Sequence, residues 1–452
     1  MENKLKSNKS LLILIAILAL LGGYVYFFEK GPLLESSGSG APFIEKLDPQ
    51  KMAEVTIRNG DTSQLLIDCQ KSKDSTWKVA NPIPDQGDKV EIDGFFMDLK
   101  TLKATRVLKD NLASMAEYGL DHPQLIISIK SDSETRFMVG TTAPGNDTYY
   151  VKKENDPAIY LINSSQVGRW FGSDYKFRNK ALADFSVDNI REVDYQRGKD
   201  KYTFVKSREQ WHSTQPGNCE INRYKLEDAL WKITSGQVMR FEINTTLSLA
   251  EYGLAQPAEV IRLKTNDNKS WELQVSAKGP QPTLLYAKLN TKPYICSIES
   301  TLLVPLHFKD ISEIRNKNIF SFMMDDIQSI RCELPYKFEL DKKGDDWVIQ
   351  PSGKKADYNS LQDMLTEITN LQAGRILEGP PSSLKKYGLD KPDYSLTLTD
   401  SRQKKYTLLI KESGDEIYAK SDSRPYLFTL TPEAYQQIRM NIEKIRQQAG
   451  IK

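Results

Sequence analysis

Three histidines, four cysteines and two Asp-Asp pairs are the residues of this 452-residue chain best suited to nucleophilic, acid–base or metal chemistry. Zinc hydrolysis needs imidazoles one helical turn apart with a carboxylate beside them. His122, His212 and His307 are scattered, and none has a His-x-x-x-His partner. A serine hydrolase of the elbow type would show Gly-x-Ser-x-Gly, and a P-loop ATPase Gly-x-x-x-x-Gly-Lys-Ser/Thr; neither occurs. The stretch from Gly140 to Gly145 is bounded by glycines but lacks the lysine and reads as a hairpin loop. Asp325-Asp326 and Asp345-Asp346 supply too few oxygens for calcium, which takes roughly six to eight. Cys69, Cys219, Cys296 and Cys332 form no Cys-x-x-Cys pair, which excludes a zinc ribbon. Cys296 and Cys332 sit in apolar strands and read as small buried hydrophobes, while a disulfide in an oxidising compartment stays open. No catalytic residue, cofactor or metal ligand is assigned.

Composition narrows the classes further. Lys and Arg total 62 against 60 Asp and Glu, a net charge of +2 that offers no phosphate-binding excess, so nucleic acid is not an expected partner. Apolar content of 39% with 10% aromatics argues for folded domains, two to four of them at this length.

The elements that would position any site come in triplicate. Tyr118-Gly119-Leu120-x-x-Pro123 recurs as Tyr252-Gly253-Leu254-x-x-Pro257 and Tyr387-Gly388-Leu389-x-x-Pro392, with tyrosine spacings of 134 and 135 residues. Trp77, Trp211 and Trp347 repeat at 134 and 136, and Arg106, Arg240 and Arg375 each stand twelve residues before the tyrosine. Three markers in register over two periods specify a triplicated domain, and the period is too long for a stacked solenoid layer. Arg178-Asn179-Lys180 and Arg315-Asn316-Lys317 mark the joints, each arginine twelve residues before the isoleucine of Asp-x-Ile (Asp188 to Ile190, Asp325 to Ile327).

Within a unit, short alternating strands (Val55–Ile57, Val193–Tyr195, Ile330–Cys332) lead to the tryptophan strand. A helix follows with apolar residues three and four apart, such as Leu361, Met364, Leu365 and Ile368, and with Asp93, Asn222 and Asp357 suited to N-caps. Tyr-Gly-Leu predicts a helical turn closed by a left-handed glycine, with the leucine packing back on Met115, Leu249 or Leu384. More strands follow, and a second helix, patterned over Pro432 to Arg446, closes the unit. The repeated tryptophans and tyrosines read as core anchors rather than glycan platforms. The arginines, just after a helix, suit its terminal carbonyls.

Leu11 to Phe28 is an uncharged, proline-free run of eighteen residues, and a helix of that length covers roughly 27 Å, enough for a bilayer core. Lys4, Lys6 and Lys9 precede it, which orients the amino terminus to the cytoplasm. The expected plan is a cytoplasmic tail at 1–10, a single-pass transmembrane helix at 11–28, a flexible linker at 29–44, and repeat domains at 45–186, 187–324 and 325–452. The fold class is α+β: three tandem similar domains with mainly antiparallel sheets.

The anchor, the tryptophan strand and the repeated Tyr-Gly-Leu-x-x-Pro resemble the bacterial membrane-anchored repeat proteins catalogued as a domain of unknown function, often encoded beside gliding-motility-type ABC-transporter genes. The resemblance covers roughly residues 45–446. It implies an inner-membrane protein with its bulk in the periplasm, accessory to an ABC permease and ATPase or to other envelope proteins, and it carries no catalytic residue. The expectation is a non-catalytic, membrane-anchored extracytoplasmic scaffold or accessory subunit. The alternative is a module binding envelope glycan or polymer, followed by a hydrolase with its site in non-repeated loops.

Overall fold

The computed structural model describes residues 42–451 except 46, 82, 110, 111, 113, 146, 172–174, 243–247 and 378–383, together with Ala19 and Gly40. The expected membrane span, Leu11 to Phe28, lies outside the described residues apart from Ala19. Among the described residues no helix is long and apolar enough to cross a membrane.

Among the described residues there are three antiparallel sheets of nine strands each, one per repeat. In the first repeat the strands are β1 (Glu54–Asn59), β2 (Leu65–Lys71), β3 (Trp77–Val79), β4 (Asp85–Gln86), β5 (Arg106–Leu108), β6 (Leu125–Lys130), β7 (Glu134–Thr142), β8 (Thr148–Lys153) and β9 (Ile159–Asn163). Their spatial order is β4-β3-β2-β1-β6-β7-β8-β9-β5. Strands β10 (Ile190–Arg197) to β18 (Ile295–Glu299), then β19 (Ile327–Leu334) to β27 (Leu427–Thr429), repeat that order. Helices are far fewer than strands. The described residues divide into two compact units, one of residues up to 207 with 214–216 and 227–307, the other of 208–213, 217–226 and those from 308 onward.

Period-two burial sets the sheet face. Val55 and Ile57, Ile67 and Cys69, Trp77 and Val79, Ile127 and Ile129, and Phe137 and Val139 are all buried. Because β4 and β5 are opposite edges of the sheet, helix α1 (Lys89–Thr101) between them has to cross its face. It buries Ile92, Phe95, Phe96 and Leu99, each such side chain contributing about 1.5–3 kcal/mol.

Two expectations need correction. The N-cap of α1 is Asp88, not Asp93: the Asp88 carboxylate accepts the Val90 and Glu91 N–H groups at 3.1 and 3.2 Å. Starting one turn earlier carries Asp93 onto the helix face that meets Trp77, whose indole N–H donates to it at 3.0 Å. Among the described residues a long second helix closes the third repeat alone, where α5 spans Pro432–Ala449. The first repeat ends in α2 (Ser164–Val167) and a 3₁₀ turn, while the second ends in a 3₁₀ segment, Ser300–Leu306, interrupted by Pro305. Proline removes a helical N–H and clashes with the preceding turn, which shortens the element. Two further helices, α3 (Arg223–Thr234) and α4 (Tyr358–Thr369), occupy the α1 position in their repeats.

Candidate functional site

The tryptophans are structural anchors. Trp77, Trp211 and Trp347 are buried, and the Trp77 ring stacks on Phe96 at 5.6 Å. Burial closes these rings to a ligand and explains why every repeat keeps one.

Tyr-Gly-Leu-x-x-Pro covers the other face of the sheet. In each copy a 3₁₀ or turn segment ends at tyrosine and the glycine adopts φ of +63° (Gly119), +70° (Gly253) or +69° (Gly388). The leucine N–H then reaches back five residues, from Leu120 to Met115 O (2.9 Å), Leu254 to Leu249 O (2.7 Å) and Leu389 to Leu384 O (3.0 Å). With the glycine bonds to Ala116, Ala250 and Lys385 this is a Schellman closure. The tyrosine rings meet Tyr150, Tyr286 and Tyr418 at 4.9, 4.9 and 5.1 Å. Leu120, Leu254 and Leu389 are buried; Pro123 is buried, and Pro257 and Pro392 are half-buried. The tryptophan and tyrosine markers thus lie on opposite faces of one sheet and do not converge.

The arginines open or precede an edge strand instead of capping a helix. Arg106 pairs across from Leu161 and Arg240 from Ser297, and Arg375 holds Glu416 at 2.6 Å. Helix α1 has already ended at Thr101, which puts a strand-forming residue beyond reach of its last carbonyls.

The polar groups that do converge are at the joints. In the first unit Arg178 is fully buried, donating to Asn81 O at 3.3 Å, with the Phe241 and Tyr294 rings 5.8 and 5.6 Å from its guanidinium carbon. Lys292 places its ammonium 3.2 Å from both oxygens of Asp85, on side chains only 7% and 6% exposed, and the Tyr294 hydroxyl donates to the same carboxylate. Burial and that carboxylate push the Tyr294 phenol far above its ordinary value. Lys180 reaches the Asp88 cap at 3.2 Å.

The second unit builds the same joint. Arg315 lies 5.0 Å from the Tyr426 ring, and Arg424 donates to Glu220 at 2.6 Å while the Asn316 amide donates to the other oxygen at 2.5 Å. Arg178 bridges to Gly87 and Arg315 to Ile221, so each joint segment adds to the edge strand before its helix. The following residues bridge to the segment after the next helix (Ala181 to Gln237, Asn318 to Gln372), as Pro42 does to Lys103 in the first repeat.

The third repeat replaces its downstream joint with α5. The cap residue's N–H, bonded by Phe177 O at Asp88 and by Ile314 O at Asn222, goes at Asp357 to the side-chain oxygen of Gln448 at 3.0 Å. Its edge strand, Lys354–Lys355, is exposed and cationic, a composition that discourages pairing by another strand.

Lys292-Pro293-Tyr294 and Arg424-Pro425-Tyr426 are a repeated cation-Pro-Tyr triplet, a sequence signal distinct from the tryptophan, arginine and tyrosine markers. The first repeat has Asp156-Pro157-Ala158 there.

Outside the joints, the buried Glu259 carboxylate accepts the Tyr195 hydroxyl at 2.9 Å and contacts His307 Nε2 at 3.0 Å. This polar cluster ties β10 and the strand Glu259–Thr265 to the end of the Ser300–Leu306 segment. His122 is exposed, 3.6 Å from Asp61, and His212 lies in the strand Gln210–Gln215. No disulfide joins any two of the four cysteines. Among the described residues no group of three His, Cys, Asp or Glu side chains is placed to hold a metal.

The family model described as "Domain of unknown function (DUF4340)" matches residues 77–216, 211–377 and 347–449. Each match starts at a repeat tryptophan, and the first two run through the joint into the next repeat. No curated protein and no solved structure matches the chain.

Proposed function

The chain belongs to the family described as Domain of unknown function (DUF4340), and from its three repeats and their joints we propose that it is a non-catalytic, membrane-anchored extracytoplasmic scaffold. On this reading the run from Leu11 to Phe28 anchors it in the inner membrane, and the repeats serve as an accessory to an ABC-type transport or motility-like complex. The observation that carries the scaffold reading is the recurring joint. Its charges and rings, buried in the first joint and half-buried in the second, are spent on joining one repeat to the next, through Arg178, Asp85 and Lys292 and again through Arg315, Glu220 and Arg424. Such groups are costly to bury and are retained where they specify one arrangement, the role proposed for them here.

The test is co-purification of the full chain from membranes solubilised in mild detergent. Recovery of permease and ATPase subunits, lost when residues 11–28 are replaced by a cleavable leader, is the expected result. A carboxyl-terminal reporter active only in the cytosol would refute the orientation, and turnover of ester, peptide or glycoside substrates that survives repurification would refute the non-catalytic role.

A further inference from the structure

We propose that the cleft beside the second joint binds a neutral oligosaccharide, a role that goes beyond the scaffold reading and does not depend on it. The cleft encloses about 490 Å³, within the size range of small-molecule sites. All of its lining belongs to the second compact unit.

Its charges are already matched. Arg424 is committed to Glu220 at 2.6 Å and to Ile319 O at 3.2 Å, and Arg223 lies 3.6 Å from Glu209. An anionic or cationic ligand would have to break one of these pairs, whereas a neutral one leaves them intact.

The groups left for a ligand are neutral amides. Asn222 uses only its side-chain oxygen, accepting Lys225 N–H at 3.2 Å, and the Asn318 and Asn370 side chains have no protein partner among the described residues. A carboxamide offers two donors and an acceptor, which matches a hydroxyl that donates and accepts at once.

Apolar faces complete the pattern. Tyr224 is 83% exposed at the rim, and Phe322 rests on Tyr406 at 4.7 Å and Phe320 at 5.0 Å. A pyranose presents C–H faces and a hydroxyl rim, and aromatic rings beside amides receive both. A peptide would ask for an unpaired strand edge or a deep apolar pocket, and the cleft is lined mainly by amides, an ion pair and half-open rings.

The experiment is titration calorimetry of the full chain in detergent with chitopentaose and maltopentaose as neutral probes, oligogalacturonate as the acidic one and a chitosan oligomer as the cationic one. A neutral probe should bind, and Tyr224→Ala and Asn370→Ala should each weaken it by about tenfold, or about 1.4 kcal/mol. Both positions are exposed, so folding is preserved, and Tyr358→Ala on α4 serves as a surface control that leaves binding unchanged. Absence of neutral binding, preference for a charged oligomer, or neutral binding untouched by both cleft variants each overturns the proposal.

Discussion

Replacing Lys292 by methionine isolates the energy of the first joint. The substitution keeps the aliphatic stem and removes the ammonium 3.2 Å from both Asp85 oxygens. Asp85 then remains a buried carboxylate, 6% exposed, supported by the Tyr294 hydroxyl alone among these two partners. Breaking a buried pair from one side costs about 3–5 kcal/mol, since the surviving charge loses its compensation without regaining water. At about 2–4 °C per kcal/mol for a domain of this size class, the melting temperature should fall by about 6–20 °C. Adding Asp85→Asn removes the stranded charge while keeping an acceptor for Tyr294, and the double variant should return to within about 1 kcal/mol of the parent. Calorimetry and urea unfolding of the parent, both single variants and the double variant close the cycle. A cost below about 1 kcal/mol for Lys292→Met, the value of an exposed pair, or a double variant no better than the single, would refute the reasoning.

Three further outcomes follow from local geometry. Gly119→Ala should cost more than Gly388→Ala in urea unfolding, by about 1 kcal/mol or more, because an added Cβ meets the Thr141 backbone nitrogen at 2.9 Å and its methyl at 2.5 Å, but only the pliable Lys411 side chain, at 3.1 Å, in the third repeat. Burial alone would raise the Asp156 carboxyl, but the Tyr160 hydroxyl, the Ala158 N–H and Lys153 together hold it at about 2, below its ordinary 3.8. A depressed carboxyl stabilises the fold above 3.8 and loses that contribution as pH falls through about 2, so Asp156→Asn should flatten acid unfolding across that window, read by circular dichroism. Burial pushes the Cys69 and Cys296 thiols up to about 12 and Cys332 up to about 11, so an aromatic disulfide reagent near pH 8 should label Cys219 alone in the native protein and all four after denaturation.

The triplication was legible because it is written in residues that each copy needs for itself. Trp77, Trp211 and Trp347 fill the same core place, and Gly119, Gly253 and Gly388 take the same left-handed φ, so local demands hold their spacing in the chain. Helix starts were less legible: Asp88 and Asp93 are equally good caps by type, and only the docking of Trp77 assigns Asp93 to the helix face. The joint residues recur as local motifs, Arg-Asn-Lys and cation-Pro-Tyr, but which of them pair lay beyond local pattern. Asp85 and Lys292 stand more than two hundred residues apart, and nothing in either neighbourhood announces the other. Likewise the exchange of a joint carbonyl for Gln448 at the Asp357 cap became visible only once the helix and the edge strand were in place. Periodicity along one chain records what each repeat requires to fold alone, whereas pairing between distant residues depends on the sheet order, and that is decided in three dimensions.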